Sequence, residues 1–168
     1  MLKEYATILL EEVDSALILK LNRPEKLNAF NMQMLDEMLD VIDYVNTNDN
    51  IKSLIITGSG KAFCAGADLS SGEKTFNKNF DTNAKYESDF MRDAGGILNL
   101  KIYNSLKPVI AACNGDAVGI GATMQLPADV RIASKNSRFG FVFAKRGIVP
   151  DGCASWFLPK IIGIPMAL

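Results

Sequence analysis

The sequence contains no histidine. That absence removes the usual general base at neutral pH, the commonest metal ligand, and every Ser–His or Cys–His nucleophile pair. Proton transfer in this chain therefore falls to carboxylates, Lys, Tyr, Cys or backbone groups. Cysteine is scarce: Cys64, Cys113 and Cys153 lie far apart among small apolar neighbours. They match no metal or redox spacing, and they read as buried, reduced thiols of a cytoplasmic protein with no metal site. No apolar run approaches a membrane span, and the first residues, MLKEYATILLEEVD, carry acids where a secretory signal would not. Net charge is only −1, so no basic field favours nucleic acid or an anionic membrane.

What is present is ordinary globular material. The chain has 168 residues, 48% hydrophobic and 22% charged, enough for a domain with a real core. No linker or internal repeat divides it, so one domain over residues 1–168 is expected. Ala6–Glu12 and Ala16–Leu21 are apolar-rich runs around Val13-Asp14-Ser15, which predicts a hairpin of strands. Asn22–Lys26 reads as a loop. Leu35, Met38, Leu39, Ile42 and Val45 then recur at helical spacing, with Asn31 placed to cap the helix. Ser53–Thr57 reads as a strand, Ser70–Lys85 as a mobile polar surface loop, and Phe90–Leu106 as a helix. Strands alternating with helices argue for an α/β layer architecture.

Two glycine turns stand out. Val109–Cys113 has the length of a buried strand, Asn114-Gly115-Asp116 breaks it, and Gly119-Ile120-Gly121 leads into an expected short helix, Ala122–Leu126, stopped near Pro127. A strand, a glycine turn and a helix start leave backbone N–H groups pointing into one spot, which suits an anion or a developing oxyanion. Close helix packing that demands small residues explains the same pattern. Lys61–Leu69, KAFCAGADL, is a second turn of small residues. Neither is a nucleotide loop. Around Gly58–Lys61 the first glycine of a phosphate loop falls on Ile55 and Ala62 replaces its Ser/Thr, while Met124 occupies the third-glycine position of a dinucleotide motif.

Four blocks, NRPEKLNAF at Asn22–Phe30, GSGKAFCAGADL at Gly58–Leu69, KPVIAACNGDAVGIGATMQLPADVRIAS at Lys107–Ser134 and FGFVFAKRGIVPDGCASWFLPKIIG at Phe139–Gly163, resemble the crotonase (enoyl-CoA hydratase/isomerase) superfamily in order and spacing. The resemblance implies an α/β spiral of ββα units that binds acyl-CoA thioesters as substrates, needs no separate cofactor, and assembles as homotrimers or hexamers. It implies that the Ala67 and Ile120 N–H groups, in the Ala65-Gly66 and Gly119–Gly121 turns, hold the thioester carbonyl. Lys26, Leu27 and Asn28, with Ala65, Gly66, Asp68 and Leu69, resemble the part that holds coenzyme A, though Lys26 alone reads as a solvated charge. Relatives usually continue past Leu168 with helices that cover the acyl pocket, so a core without them is expected.

The catalytic positions depart from the hydratase pattern. Where typical hydratases carry two glutamates, this sequence has Thr123 and Phe143. Asp151 resembles the single acid of some family isomerases, whereas Pro-Asp-Gly taken alone reads as a turn. The resemblance therefore implies double-bond isomerisation with Asp151 as the proton shuttle. Enoyl-CoA hydration and a non-catalytic acyl-CoA-binding subunit are the alternatives. Ser155–Leu158 is similar to the apolar wall of an acyl pocket, and core packing explains that run equally well.

Overall fold

A computed structural model of the chain describes residues 2–70, 72 and 93–168. The expected loop Ser70–Lys85 lies outside the described residues except at its first positions. The chain opens with a hairpin, β1 (Ile8–Val13) and β2 (Ala16–Leu21), paired antiparallel from Ile8↔Leu21 to Val13↔Ala16. Period-2 alternation in β2 sends Leu17, Leu19 and Leu21 wholly into the core. Helix α1 (Met32–Thr47) starts where Asn31 Oδ1 accepts from Met34 N–H at 2.9 Å. Its apolar stripe, Met34, Leu35, Met38, Val41, Ile42 and Val45, is buried along the whole length.

From there a unit repeats. β3 (Ser53–Gly58), β4 (Ala62–Cys64) and α2 (Ala94–Tyr103) are followed by β5 (Val109–Cys113), β6 (Asp116–Val118) and α3 (Ile120–Thr123). β7 (Val130–Ala133), β8 (Phe139–Gly140) and α4 (Ala154–Ile162) come next, then a short α5 (Ile164–Ala167). The first strand of each unit joins a five-stranded sheet, β1-β2-β3-β5-β7, parallel from β2 onward. The second joins a parallel three-stranded sheet, β4-β6-β8. This is the expected spiral of ββα units. Stacking the units at strand spacing brings their turns together, and that is what builds the site.

The stacking is tight enough to demand particular residues. Asn114, after β5, accepts from Gly58 N–H at 3.0 Å and donates to Gly60 O at 3.0 Å, tying its turn to the one before. A Cβ on Gly121 would lie 2.2 Å from Cys64 O, and one on Gly115 would lie 2.1 Å from Lys61 O. Two expected boundaries move. The helix expected at Ala122–Leu126 begins instead at Ile120, because Gly119 turns the chain at φ 54° and its carbonyl accepts from both Ala122 and Thr123 N–H. The helix expected from Phe90 is described from Ala94, capped by Asp93 accepting from Gly96 N–H at 2.6 Å. Cys64 and Cys113 are buried free thiols, while Cys153 is only half-buried.

Gly121→Ala is expected to destabilise the fold by roughly 1–3 kcal/mol, since backbone must move to admit the methyl group. Gly140→Ala, whose Cβ would meet nothing closer than 3.5 Å, is expected to stay within about 0.5 kcal/mol of the parent. Urea unfolding of the three proteins checks the contrast.

Candidate active site

The first turn follows β4. Phe30 makes an isolated parallel bridge with Ala67, in which Phe30 N–H donates to Gly66 O at 2.8 Å and Asp68 N–H donates to Phe30 O at 2.7 Å. A parallel bridge of this kind uses the groups flanking Ala67, so the Ala67 N–H points away from Phe30. The second turn follows β6. Gly119 N–H donates to Gly140 O at 2.8 Å, and the chain enters α3 with the Ile120 N–H at its first position, where no intrahelical acceptor exists. Among the described residues neither N–H has a hydrogen-bond partner. The two turns touch: a Cβ on Gly119 would lie 3.9 Å from Gly66 Cα, and one on Gly66 would lie 3.2 Å from Val118 O. Gly66 holds φ 106°, a conformation that favours glycine.

Both turns open on one cleft of about 90 Å³, lined by Ala65, Gly66, Ala67 and Leu69 from the first and Val118, Gly119 and Ile120 from the second. Val142, Phe143, Arg146, Ile148 and Asp151 complete the wall. Its size admits the reacting end of a ligand rather than a whole drug-sized molecule. The Asp151 Oδ1 is buried without a partner among the described residues. Burial first, and then the negative charge of Asp93, push its carboxyl up to about 6. A larger cavity of about 300 Å³ lies under Phe139, Phe141, Leu158, Ile161 and Ile162. Among the described residues it is lined by no carboxylate, and its polar side chains Gln125 and Arg131 already donate to backbone carbonyls. The smaller cleft is the candidate site.

A sequence profile of the enoyl-CoA hydratase/isomerase family matches residues 11–168. The chain belongs to that family. It is 41% identical over 157 residues to an enoyl-CoA hydratase of Alternaria alternata, covering 94% of this chain and 50% of that one. It is 37% identical over 158 residues to the 1,2-epoxyphenylacetyl-CoA isomerase of Escherichia coli K12, covering 89% and 56%. A crystal structure of enoyl-CoA hydratase subunit I from Geobacillus kaustophilus superposes with TM-score 0.84 at 28% identity, covering 99% of this chain and 61% of that one. The chain thus spans about half to six-tenths of the length of these relatives.

Of the expected site residues, Ala65, Gly66, Ala67, Leu69, Gly119, Ile120 and Asp151 line this one cleft. Other expected site residues have different positions. Asn28 is fully buried and its side chain is spent on the fold, accepting from Arg23 N–H and donating to Ser59 O and Ala62 O, each at 2.9 Å. Asp68 pairs with Arg23 at 2.6 Å, and Ser70 and Arg23 hold its carboxyl well below the usual carboxylate range. Gly121 packs on Cys64 and does not line the cleft. Lys26 is exposed, with Nζ 3.5 Å from Asp68, and Leu27 stands beside it at φ 51°.

The expected acyl wall at Ser155–Leu158 is a correction. Trp156 is 59% exposed beneath Lys160, Phe157 packs on Tyr103, and Leu158 lines the other cavity, because α4 turns this face away from the cleft. The apolar side of this cleft is formed by Val142, Phe143 and Ile148, of which Val142 and Ile148 carried no expectation from the sequence. Phe143 is buried there, and Thr123 is fully buried with its hydroxyl 3.4 Å from Ile120 O. Among the described residues no group of side chains could hold a metal ion, and no helix is long and apolar enough to cross a membrane.

The raised Asp151 value has a consequence for stability. The folded chain holds that proton more tightly than the unfolded chain, whose value is near 3.8. The contribution is therefore present below about pH 4 and lost as pH rises through about 6. Asp151→Asn is expected to be more stable than the parent at pH 7.5, by on the order of 2 kcal/mol, with the difference shrinking toward pH 4.5. Urea unfolding of both proteins at the two pH values measures it.

Proposed function

We propose that the cleft performs enoyl-CoA double-bond isomerisation, with Asp151 as the single proton carrier. The observation that carries this reading is one cleft holding two unengaged backbone N–H groups and a half-buried carboxyl, with no second carboxylate in its lining among the described residues. The thioester oxygen of a 3-enoyl-CoA accepts from Ala67 and Ile120 N–H. Asp151 carboxylate takes a proton from the α-carbon, and the electron pair of that C–H bond delocalises onto the thioester oxygen as a dienolate. Two fixed backbone donors stabilise the developing charge without reorganising. Protonated Asp151 then returns the proton two carbons further along, and the double bond moves into conjugation with the thioester. A carboxyl near 6 suits both steps, since it is mostly ionised at neutral pH and still a competent acid once charged with the proton. Lys26 and Leu27 are exposed beside the first turn, where Leu27 O accepts from Ala65 N–H, and they suit the coenzyme A portion.

The alternative is hydration of a 2-enoyl-CoA, supported by relatives named as hydratases. Hydration needs one group to activate water and usually another to manage the α-carbon proton. The positions that carry glutamates in typical hydratases are Thr123 and Phe143 here, and neither side chain transfers a proton in this range. The third reading, a non-catalytic acyl-CoA binder, leaves the unpaired Asp151 carboxyl without a role.

Isomerisation of a short 3-enoyl-CoA, followed by absorbance of the conjugated product, decides among them. Asp151→Asn is expected to lose a factor on the order of 10²–10⁴ in kcat. Thr123→Ala and Phe143→Leu are expected to stay within about one decade of the parent. A parent protein that hydrates crotonyl-CoA and does not isomerise would transfer the assignment to the hydratase reading.

A further inference from the structure

Helix α2 and its N-cap carry two side chains that reach a single residue, Gly152, in the loop before α4. Asp93, its N-cap, accepts from Gly152 N–H at 3.3 Å as well as from Gly96 N–H at 2.6 Å. Asn99, fully buried further along the helix, donates from Nδ2 to Gly152 O and to Thr123 O, the latter at 2.9 Å. Both acceptors are carbonyl oxygens, so the amide nitrogen must face them and the orientation of Asn99 is fixed. Gly152 is held at its N–H and at its C=O by one helix. The fit admits only glycine: φ is +59°, and a Cβ would lie 2.5 Å from Thr123 Oγ1 and 3.1 Å from Asn99 Nδ2.

The residue next to this clamp is Asp151. Among the described residues no other side chain's hydrogen bond holds its carboxyl, and Oδ1 is buried without a partner. The direction of that carboxyl is therefore set by the backbone on which it stands. Asn99 Oδ1 is likewise buried and unpartnered among the described residues. An apolar side chain of similar volume would suit the core better at this position, because it would leave no polar atom unsatisfied. What the amide contributes instead is the double contact from Nδ2.

We propose that Asp93 and Asn99 are positioning residues for the reaction: they clamp Gly152 through the peptide groups on either side of it and so fix where the Asp151 carboxyl points. This rests on the reading of Asp151 as the proton carrier. A displacement of about 1 Å in a reacting group is enough to cost on the order of 10²-fold in rate, so the clamp is read in turnover rather than in binding. The ionisable groups around Asp151 are Asp93 from α2, Cys153 two residues on, and Arg146 in the lining of the cleft.

The test uses the full chain, a 3-enoyl-CoA for turnover, and calorimetric binding of a saturated acyl-CoA. Asp93→Ala and Asn99→Ser are expected to lower kcat roughly 10–100-fold, with KM and acyl-CoA affinity within about threefold of the parent. Asp93→Asn retains an acceptor at the same place, so its kcat is expected to return to within about threefold of the parent. Because it removes the negative charge beside Asp151, its acid limb of activity is expected at lower pH; the recovery of kcat in Asp93→Asn against its loss in Asp93→Ala is what a purely electrostatic role would not produce. Asp93 is exposed, so Asp93→Ala carries the test even if Asn99→Ser fails to fold. Parent-level kcat in Asp93→Ala, or a fall in kcat matched by loss of acyl-CoA binding, overturns the clamp. Parent-level turnover in Asp151→Asn overturns the proton-carrier reading beneath it. An inactive Asp151→Asn beside a fully active Asp93→Ala overturns the clamp alone.

Discussion

The close approach of two backbone turns is the constraint on which this structure depends. Gly66 and Gly119 come near van der Waals contact across the cleft, and Gly121 presses on the Cys64 carbonyl closely enough that a methyl group would not fit. Backbone donors can converge only where backbones converge, so the small residues are a condition of the site. The spiral of ββα units supplies the approach, since β4 and β6 are neighbours in the parallel three-stranded sheet and both turns leave the same end of it. The large core beneath, from Leu17 to Val45 and on through Leu54, Leu98 and Val109, holds those strands in register.

Loops around such a site have little apolar surface of their own to bury, and side-chain amides take over their fixation. Asn28 joins the loop after β2 to the turn between β3 and β4, Asn114 joins that turn to the next, and Asn99 joins α2 to the Gly152 peptide. Each satisfies backbone groups that would otherwise be costly to bury. The Arg23–Asp68 pair, both side chains largely buried, does the same for the first turn. A second-order result is electrostatic. Burial first, and then the negative charge of nearby Asp93, discourage ionisation of Asp151, and together they hold its carboxyl near 6.

Much of this was legible in the residues. The hairpin, the capped α1 and the ββα alternation follow from period and capping, because α1 keeps its apolar stripe on one face and β2 alternates strictly. Asp151, Ala67 and Ile120 were singled out by the family resemblance, since Pro-Asp-Gly alone reads as a turn, and the three line one cleft. What was not legible depends on contacts between distant segments. Asn28 and Asp68 are polar residues in a binding-like motif, and only their packing reveals that their side chains are occupied. Trp156 is apolar and close to Asp151 in sequence, yet the turn of α4 exposes it. Asp93 and Asn99 belong to an unremarkable helix, and nothing local indicates that both reach Gly152.

The central claim is that Ala67, Ile120 and Asp151 together make and unmake an enolate at the carbon next to a thioester. Exchange of that carbon's protons with solvent reports this directly, without any change in the double bond. A saturated short-chain acyl-CoA incubated in deuterium oxide with the parent protein should gain deuterium at the α-carbon, observable by proton magnetic resonance and mass spectrometry. Acyl-CoA that binds, as judged by calorimetry, and keeps both α-protons through long incubation would contradict the account.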